Sequence, residues 1–301
     1  MTAAPTIVAL IGCTAAGKSA ISIELAKRLG GEILTVDSMQ VYCGMDIGTA
    51  KPTASERDQI IHHLLDVAAP NEEFTVARFV RMADAIIAES ERPLIATGGT
   101  PMFFKALFEG LFEGPSADPE RRERIAREPA HRLHARLVSV DPQAAARIHA
   151  NDTRRIVRAL EVYELTGRPI SSFQEQWGAA TRHPAKWFGL AWEKETLNRR
   201  INARVKQMIE AGWVDEVRAL LAEYGQLSKT AGKATGYAEL IKHIHDECPL
   251  DVTIEEIKIA TRQLARRQLK WFRRFPNVQW LNGDQSPARL ADTILQAVQC
   301  G

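Results

Sequence analysis

The chain has 301 residues, which at roughly 150 residues per domain means one large domain or two smaller ones. Its 45% hydrophobic and 25% charged residues exclude a mainly disordered or fibrous chain. No apolar run nears the roughly 20 residues that span a bilayer, which excludes a membrane helix. Residues 7–11 are too short for a signal peptide, so the expected compartment is the cytoplasm. Cys13, Cys43, Cys248 and Cys300 form no C-x-x-C pair, so neither a zinc knuckle nor a disulfide framework is expected. Lys plus Arg is 39 and Asp plus Glu 37, a net charge of +2. That balance says nothing about partners; the distribution of the charges does.

Residues 6–11 are β-branched and apolar and predict a buried parallel strand. Helical spacing follows over 20–29, with Ile21, Leu25 and Leu29 on one side and Gly30-Gly31 as the stop. Further strands are predicted at 33–36, ending at Asp37-Ser38, and at 93–97, ending at Gly98-Gly99-Thr100, with a helix over 76–89 between them. This alternation predicts a parallel sheet covered on both faces. From 116 to 184 strand signals vanish and Arg and Ala dominate. Helices are expected at 119–128, 130–140, 142–149 and 153–166. A strand at 187–192 returns to the sheet, followed by helices at 194–211, 214–224 and 254–275 and an edge strand at 278–281. The expected fold is α/β: a P-loop-type parallel sheet flanked by helices (1–115 and 185–301) with a helical insertion domain at 116–184.

The run Gly12, Cys13, Thr14, Ala15, Ala16, Gly17, Lys18, Ser19 fits G-x-x-x-x-G-K-[ST] between a predicted strand and helix. Glycines let backbone N–H groups turn onto phosphate oxygens. Lys18 adds a point charge, the Ser19 hydroxyl can hold Mg²⁺, and the helix directs its N-terminal dipole at the same anion. The loop alone leaves the ester open: ATP, GTP or any diphosphate, an allylic one included. Ligands of open parallel sheets sit beyond the carboxyl ends of the strands. Asp37 and Thr100 occupy such ends, so both should converge on the loop. By position Asp37 reads equally as a general base or a metal ligand.

Two basic stretches stand out. Residues 257–275 carry Lys258, Arg262, Arg266, Arg267, Lys270, Arg273 and Arg274 with no acid. They fall on one half of a helical wheel opposite Ile257, Leu264, Trp271, Phe272 and Phe275. The second comprises Arg121, Arg122, Arg124, Arg127, Arg154, Arg155 and Arg158. A single charge run is usually a solvated face, but two in a chain of near-zero net charge point to nucleic acid. His62-His63 and His131/His134 lack a carboxylate or thiol at ligand spacing and read as ordinary histidines.

Several strings now coincide: Gly12–Ser19; Val36-Asp37-Ser38-Met39-Gln40-Val41-Tyr42; Gly44-Met45-Asp46-Ile47-Gly48-Thr49-Ala50-Lys51-Pro52; Gly98-Gly99-Thr100; Asn151-Asp152-Thr153-Arg154-Arg155; Gly236-Tyr237; and Thr261-Arg262-Gln263-Leu264-Ala265-Arg266-Arg267-Gln268. With them the sequence resembles the tRNA dimethylallyltransferases over residues 7–282. The resemblance implies attack by the N⁶ amine of the adenosine 3′-adjacent to the anticodon on C1 of dimethylallyl diphosphate, with diphosphate leaving. It places the diphosphate in the loop Gly12–Ser19 with Mg²⁺ on Ser19, and makes Asp37, Thr100 and Arg218 catalytic. It puts tRNA contacts at Asp37, Ser38, Met39, Gln40, Thr100, Arg122, Arg154, Arg155, Arg158, Gly236, Tyr237, Arg262 and Arg266. The expected partners are the tRNA anticodon stem-loop and dimethylallyl diphosphate, with no membrane and a monomeric chain. Two departures from the family pattern matter: Cys13 in place of Pro, and Pro101-Met102-Phe103 in place of Gly-Leu-Tyr. Two other functions stay open, a transferase acting on free adenine nucleotide and a P-loop regulator that grips RNA without prenyl transfer.

Overall fold

The structure is a computed structural model and describes residues 5–110, 114–115, 117–174 and 181–299. Ser116, where the helical insertion is expected to begin, and Cys300 lie outside the described residues. Six strands build one all-parallel sheet: β1 (Ile7–Ile11), β2 (Glu32–Thr35), β3 (His62–His63), β4 (Leu94–Gly98), β5 (Lys186–Ala191) and β6 (Gln279–Asn282). Their spatial order is β3-β2-β4-β1-β5-β6. Every residue of β1 and β4 is buried, as central strands covered on both faces must be. Because β2, β4 and β1 are neighbours, with Thr35 opposite Thr97 and Gly98 opposite Ile11, the chain leaves all three at one edge of the sheet. That edge carries residues 12–19, 36–38 and 99–100.

The helix Lys18–Leu29 buries Ile21, Ile23 and Leu25 and stops at Gly30, whose φ of 59 is left-handed, as a glycine C-cap permits. Val76–Glu89 begins at Thr75, whose side chain accepts from the Arg78 N–H. Lys194–Glu210 and Leu250–Phe272 pack on each other. The second starts four residues before the expected 254 and ends before Phe275. Its buried spine is Ile257, Ala265, Gln268 and Phe272, with Thr253 in the first turn. Helices Pro101–Glu109, Tyr237–Ile244 and Pro287–Gln299 were not expected from the sequence. His62 and His63 form a short edge strand, and His63 Nε2 lies 2.7 Å from Glu32 Oε2. No helix among the described residues is long and apolar enough to cross a membrane.

The chain divides into two compact units, Phe108–Arg182 and the sheet-bearing remainder. The smaller one packs Ile125, Leu133, Leu137, Ile156 and Leu160 into its own core. Its helices Pro119–Ala126, Ala130–Val140, Pro142–Arg147 and Thr153–Thr166 start at Asp118, Pro129, Asp141 and Asp152. The three aspartates accept N–H groups of the first turn, the usual N-cap role.

Candidate active site at the strand ends

The loop after β1 turns through Ala15 and Gly17, at φ 61 and 93, a conformation glycine takes freely and alanine only under strain. Its carbonyls are engaged. Lys18 Nζ donates to Gly12 O and Cys13 O, each at 2.9 Å. Arg200 Nε donates to Ala15 O and Trp192 Nε1 to Ala16 O, each at 3.0 Å, with the Arg200 guanidinium 4.2 Å above the Trp192 ring. The loop therefore has its shape before any anion arrives, which is preorganisation in the electrostatic sense. Cys13, fully buried, has its thiol pushed up by burial. It acts as a small core residue where the family pattern has proline.

Asp37 follows β2. Its Oδ1 accepts the N–H groups of Met39 at 2.9 Å and Gln40 at 3.4 Å, an Asx turn that fixes the carboxylate plane. Its Oδ2 accepts no hydrogen bond among the described residues. Thr100, after β4, ties the two strand ends together: its Oγ1 accepts from Ser38 N at 3.0 Å and donates to Ser38 Oγ at 3.2 Å. Gly98 and Gly99 keep this junction tight. A Cβ on Gly98 would lie 2.0 Å from Val36 O, and one on Gly99 2.8 Å from Gln268 Nε2 and 3.4 Å from Asp37 Oδ2.

Two side chains that the sequence did not single out for this site complete it. Gln268 is buried and bridges two strand ends: its Oε1 accepts Thr14 N–H at 2.9 Å and its Nε2 donates to Gly99 O at 2.6 Å. Arg204 makes no hydrogen bond or ion pair among the described residues. Burial depresses its guanidinium, the Asp37 charge works against that, and Arg200 adds to it. Lys18 shares this field. Burial pulls its ammonium down to about 8, Cys13 and Asp37 offset part of the drop, and Arg204 adds to it. Two unpaired cations and a half-free carboxylate thus lie together. Beside them opens a small cleft lined by Thr14, Ala15, Gly48, Arg204, Thr235 and Thr261 and by the apolar Ile201, Val205, Met208, Trp213 and Leu264.

Other expected site residues make contacts within the chain. Arg218 sits on the exposed side of the helix Trp213–Tyr224 and donates to Asp215 Oδ1 at 2.9 Å. Gln40 Nε2 donates to Thr49 O and Ala50 O at 3.0 and 3.2 Å, bracing the Met45–Pro52 segment. At the heart of that segment is the buried Lys51, bound to Tyr42 O, Asp46 and Asp66. Tyr237 is fully buried, its hydroxyl donating to Glu216 Oε1 at 2.6 Å. A Cβ on Gly236 would fall 1.9 Å from the Trp213 ring. Neither offers a side-chain surface to RNA. Phe103, in the usual place of a tyrosine, is buried and stacked on Phe79 at 4.3 Å, where a hydroxyl would lack water.

The basic stretches also separate. In the helical unit Glu161 is fully buried and accepts Arg122 Nε on both oxygens at 2.9 Å, Arg158 Nη1, and the Asp118 N–H at 2.7 Å. Burial opposes its ionisation, but the bonds from Arg158, Asp118 and Arg122 outweigh it and hold the carboxyl below its usual range. Glu164 gathers Arg121, Arg124 and Arg136. Arg122 and Arg158, expected at the tRNA, are engaged by Glu161 within the unit. Arg154 is exposed and unpaired among the described residues, and Arg155 is exposed with Asp152 at 3.4 Å. On Leu250–Phe272 the basic face is likewise not continuous. Arg262 is half-buried and donates to Asn202 Oδ1 at 2.7 Å, and Lys258 pairs with Glu255 at 2.6 Å. Arg266, Arg267, Lys270, Arg273 and Arg274 are exposed and carry no ion pair among the described residues.

A parallel sheet with a G-x-x-x-x-G-K-S loop at its central strand and a carboxylate at the next strand but one defines a P-loop-type phosphate-binding protein. The chain belongs to the IPP transferase family, whose model matches residues 40–275; a second model, isopentenyl transferase, matches residues 5–68. It is 45% identical to a tRNA dimethylallyltransferase of Geobacter metallireducens, over 97% of this chain and 96% of that one. It is 41% identical to one of Corynebacterium diphtheriae, over 96% and 98%. The structure is similar to the full-length tRNA isopentenylpyrophosphate transferase of Bacillus halodurans, with a TM-score of 0.72, 36% identity and 98% and 97% of the two chains covered. It is also similar to a eukaryotic dimethylallyltransferase solved acting on tRNA, with a TM-score of 0.82, 27% identity and 97% and 78% covered.

Proposed function

We propose that the chain transfers a dimethylallyl group from dimethylallyl diphosphate to the N⁶ amine of the adenosine 3′-adjacent to the anticodon in tRNA. The observation that carries this reading is the meeting of an unpaired carboxylate oxygen, Asp37 Oδ2, with a cation-lined phosphate loop and a cleft with an apolar side. A phosphate loop alone suits any nucleotide; one opening on Ile201, Val205, Met208, Trp213 and Leu264 suits an ester whose other end is a hydrocarbon.

Lys18 and Arg204 hold the diphosphate and stabilise the charge that builds on it as C1–O breaks. The N⁶–C1 bond forms, the electron pair of C1–O leaves with diphosphate, and the N⁶ proton passes to Asp37 Oδ2. An adenine amine is a weak nucleophile because its lone pair is delocalised, so accepting its proton as the bond forms is where a general base contributes. Thr100 and Gln268 keep the ends of β1, β2 and β4 in register, and Thr100 borders the space the base must enter. The adenosine reaches it only by leaving its stack.

Ser19 is exposed in the first turn of Lys18–Leu29, and its hydroxyl makes no hydrogen bond among the described residues. Mg²⁺ commonly binds through few protein groups together with substrate phosphates and water, so this one hydroxyl fits a metal that arrives with the diphosphate. There it would neutralise charge on the leaving group. Arg266, Arg267, Lys270, Arg154 and Arg155 supply tRNA backbone contacts, and the protein works as a cytoplasmic monomer.

The test is to incubate the protein with radiolabelled dimethylallyl diphosphate, Mg²⁺ and either tRNA or AMP. Label in tRNA alone is expected. Label in AMP points to a free-nucleotide transferase, and no label with retained RNA binding to a regulator.

A further inference from the structure

We infer that Glu216 is a positioning residue for the prenyl cleft: it holds the Asp46–Gly48 backbone against Trp213 and so limits the length of allylic chain accepted. The inference rests on the function proposed above.

Glu216 lies in the helix Trp213–Tyr224. Its Oε2 accepts Asp46 N–H at 2.9 Å and Ile47 N–H at 2.6 Å, and its Oε1 accepts Gly48 N–H at 3.4 Å and the Tyr237 hydroxyl at 2.6 Å. Four donors converge on one carboxylate that makes no ion pair among the described residues. Only an ionised carboxylate accepts at both oxygens without presenting a donor of its own.

What this clamp holds is a wall. Gly48 and Trp213 both line the cleft. A Cβ on Gly48 would lie 2.2 Å from Trp213 Nε1, so the backbone there rests directly on the indole. The indole also meets Gly236, where a Cβ would fall 1.9 Å away, and Tyr237 packs edge-on at 5.5 Å between ring centroids. The indole thus rests against two glycines, and the backbone of one of them is held by Glu216. Because packed interiors transmit small displacements, releasing Gly48 moves the wall.

Glu216→Gln isolates this role. The amide oxygen can keep the Asp46 and Ile47 bonds, and the Tyr237 hydroxyl can turn to accept from the amide nitrogen. The Gly48 N–H then faces another donor. We expect the KM for dimethylallyl diphosphate to rise roughly tenfold with kcat little changed, less than the roughly 10²-fold that a full 1 Å misplacement can cost. By the same mechanism, transfer from geranyl diphosphate relative to dimethylallyl diphosphate rises, while tRNA affinity stays at the parental value. A lower melting temperature with parental KM and chain selection would mean a purely structural role and overturns the inference. Should Glu216→Gln fail to fold, Trp213→Phe opens the same wall with a smaller ring, and unaltered chain selection there overturns it equally. Calorimetric binding of both esters to the parent separates the two layers. A parent that binds neither defeats the proposed function as well, whereas one that binds dimethylallyl diphosphate and whose variants match it defeats the Glu216 assignment alone.

Discussion

Charged side chains are treated in opposite ways in the two units of this chain. In the helical unit, Glu161 and Glu164 are surrounded by guanidinium groups, and the arginines they bind spend their charge on the fold. At the strand ends, Lys18 is bound only by carbonyls, Arg204 has no acidic partner, and Asp37 leaves one oxygen open. Burying unpaired charge is costly. A fold keeps such a group where a ligand will complete it, whereas a satisfied pair needs no further partner. Pairing, rather than the density of basic residues along the chain, therefore separates a binding site from a brace.

The largest effect that could break this comparison is at Asp37. Asp37→Asn keeps an acceptor for the Met39 N–H but cannot take a proton at the other position. The single-turnover rate should fall by about 10²–10⁴, the usual contribution of a general base, with tRNA affinity retained. A near-parental rate would remove Asp37 from the chemistry. Next is Arg204→Gln, which should raise the KM for dimethylallyl diphosphate by roughly 10- to 100-fold, as loss of a desolvated charged contact does. Arg218→Gln should leave it close to the parent. The reverse ranking would restore the role that family resemblance gives Arg218.

These two arginines also show what the sequence could and could not reveal. Strand ends, the phosphate loop, Asp37 and Thr100 were legible because each depends on short-range pattern: an apolar run, then a turn with glycine or a small polar residue. Gln268 and Glu216 depend on partners far along the chain, and Arg204 on a cleft assembled from distant segments. Gln268 reaches Thr14 and Gly99, 254 and 169 positions away, and Glu216 reaches Gly48 across 168. A faint local signal existed. Leu197, Ile201, Val205 and Met208 form a helical apolar stripe, and Arg204 falls within it; Gln268 likewise sits among Ile257, Ala265 and Phe272. A polar residue on an apolar stripe is worth more notice than a run of charges on the opposite side. The pairing of the run at 121–127 was not legible because its acids, Glu161 and Glu164, lie about forty residues further on.

In the helical unit the comparison predicts stability effects rather than catalytic ones. Glu161→Gln should cost about 2 kcal/mol, since it weakens charge-assisted bonds to Arg122 and Arg158 and to a buried N–H. Arg154→Gln should leave the melting temperature unchanged. Thermal unfolding of both variants decides it, and equal melting temperatures would dissolve the distinction between paired and free arginines. On Leu250–Phe272, the double change Arg266→Gln with Arg267→Gln should flatten the plot of log K for tRNA against log[salt] by roughly 1.5 units, at about 0.7–0.9 per phosphate contact. Arg262→Gln, which breaks a bond to Asn202, should lower the melting temperature and leave that slope alone.

The smallest effect concerns a single proton on Lys18. Burial first, and then Arg204, bring its ammonium from 10.5 down to about 8, despite the opposing pull of Cys13 and Asp37. A lysine depressed in this way penalises the ligand-free fold while it is charged. Between about 8 and 10.5 the unfolded chain binds more protons than the folded one, so its contribution to stability becomes more favourable as pH rises through that window. Ligand binding runs the other way. A diphosphate needs the ammonium and, once bound, pushes its pKa back up, so binding at pH 8 should take up a fraction of a proton. The ester's own last ionisation, about 6 for a phosphate monoester, lies well below this range and does not mask it. Affinity for dimethylallyl diphosphate should therefore fall roughly tenfold from pH 7 to pH 9 as the protonated fraction of Lys18 declines. Calorimetry in two buffers of different ionisation enthalpy measures the proton directly, and Lys18→Arg, which keeps its charge throughout, should lose the pH dependence. Zero proton uptake at pH 8 together with flat affinity would place the lysine outside the diphosphate site and leave Arg204 as its principal cation.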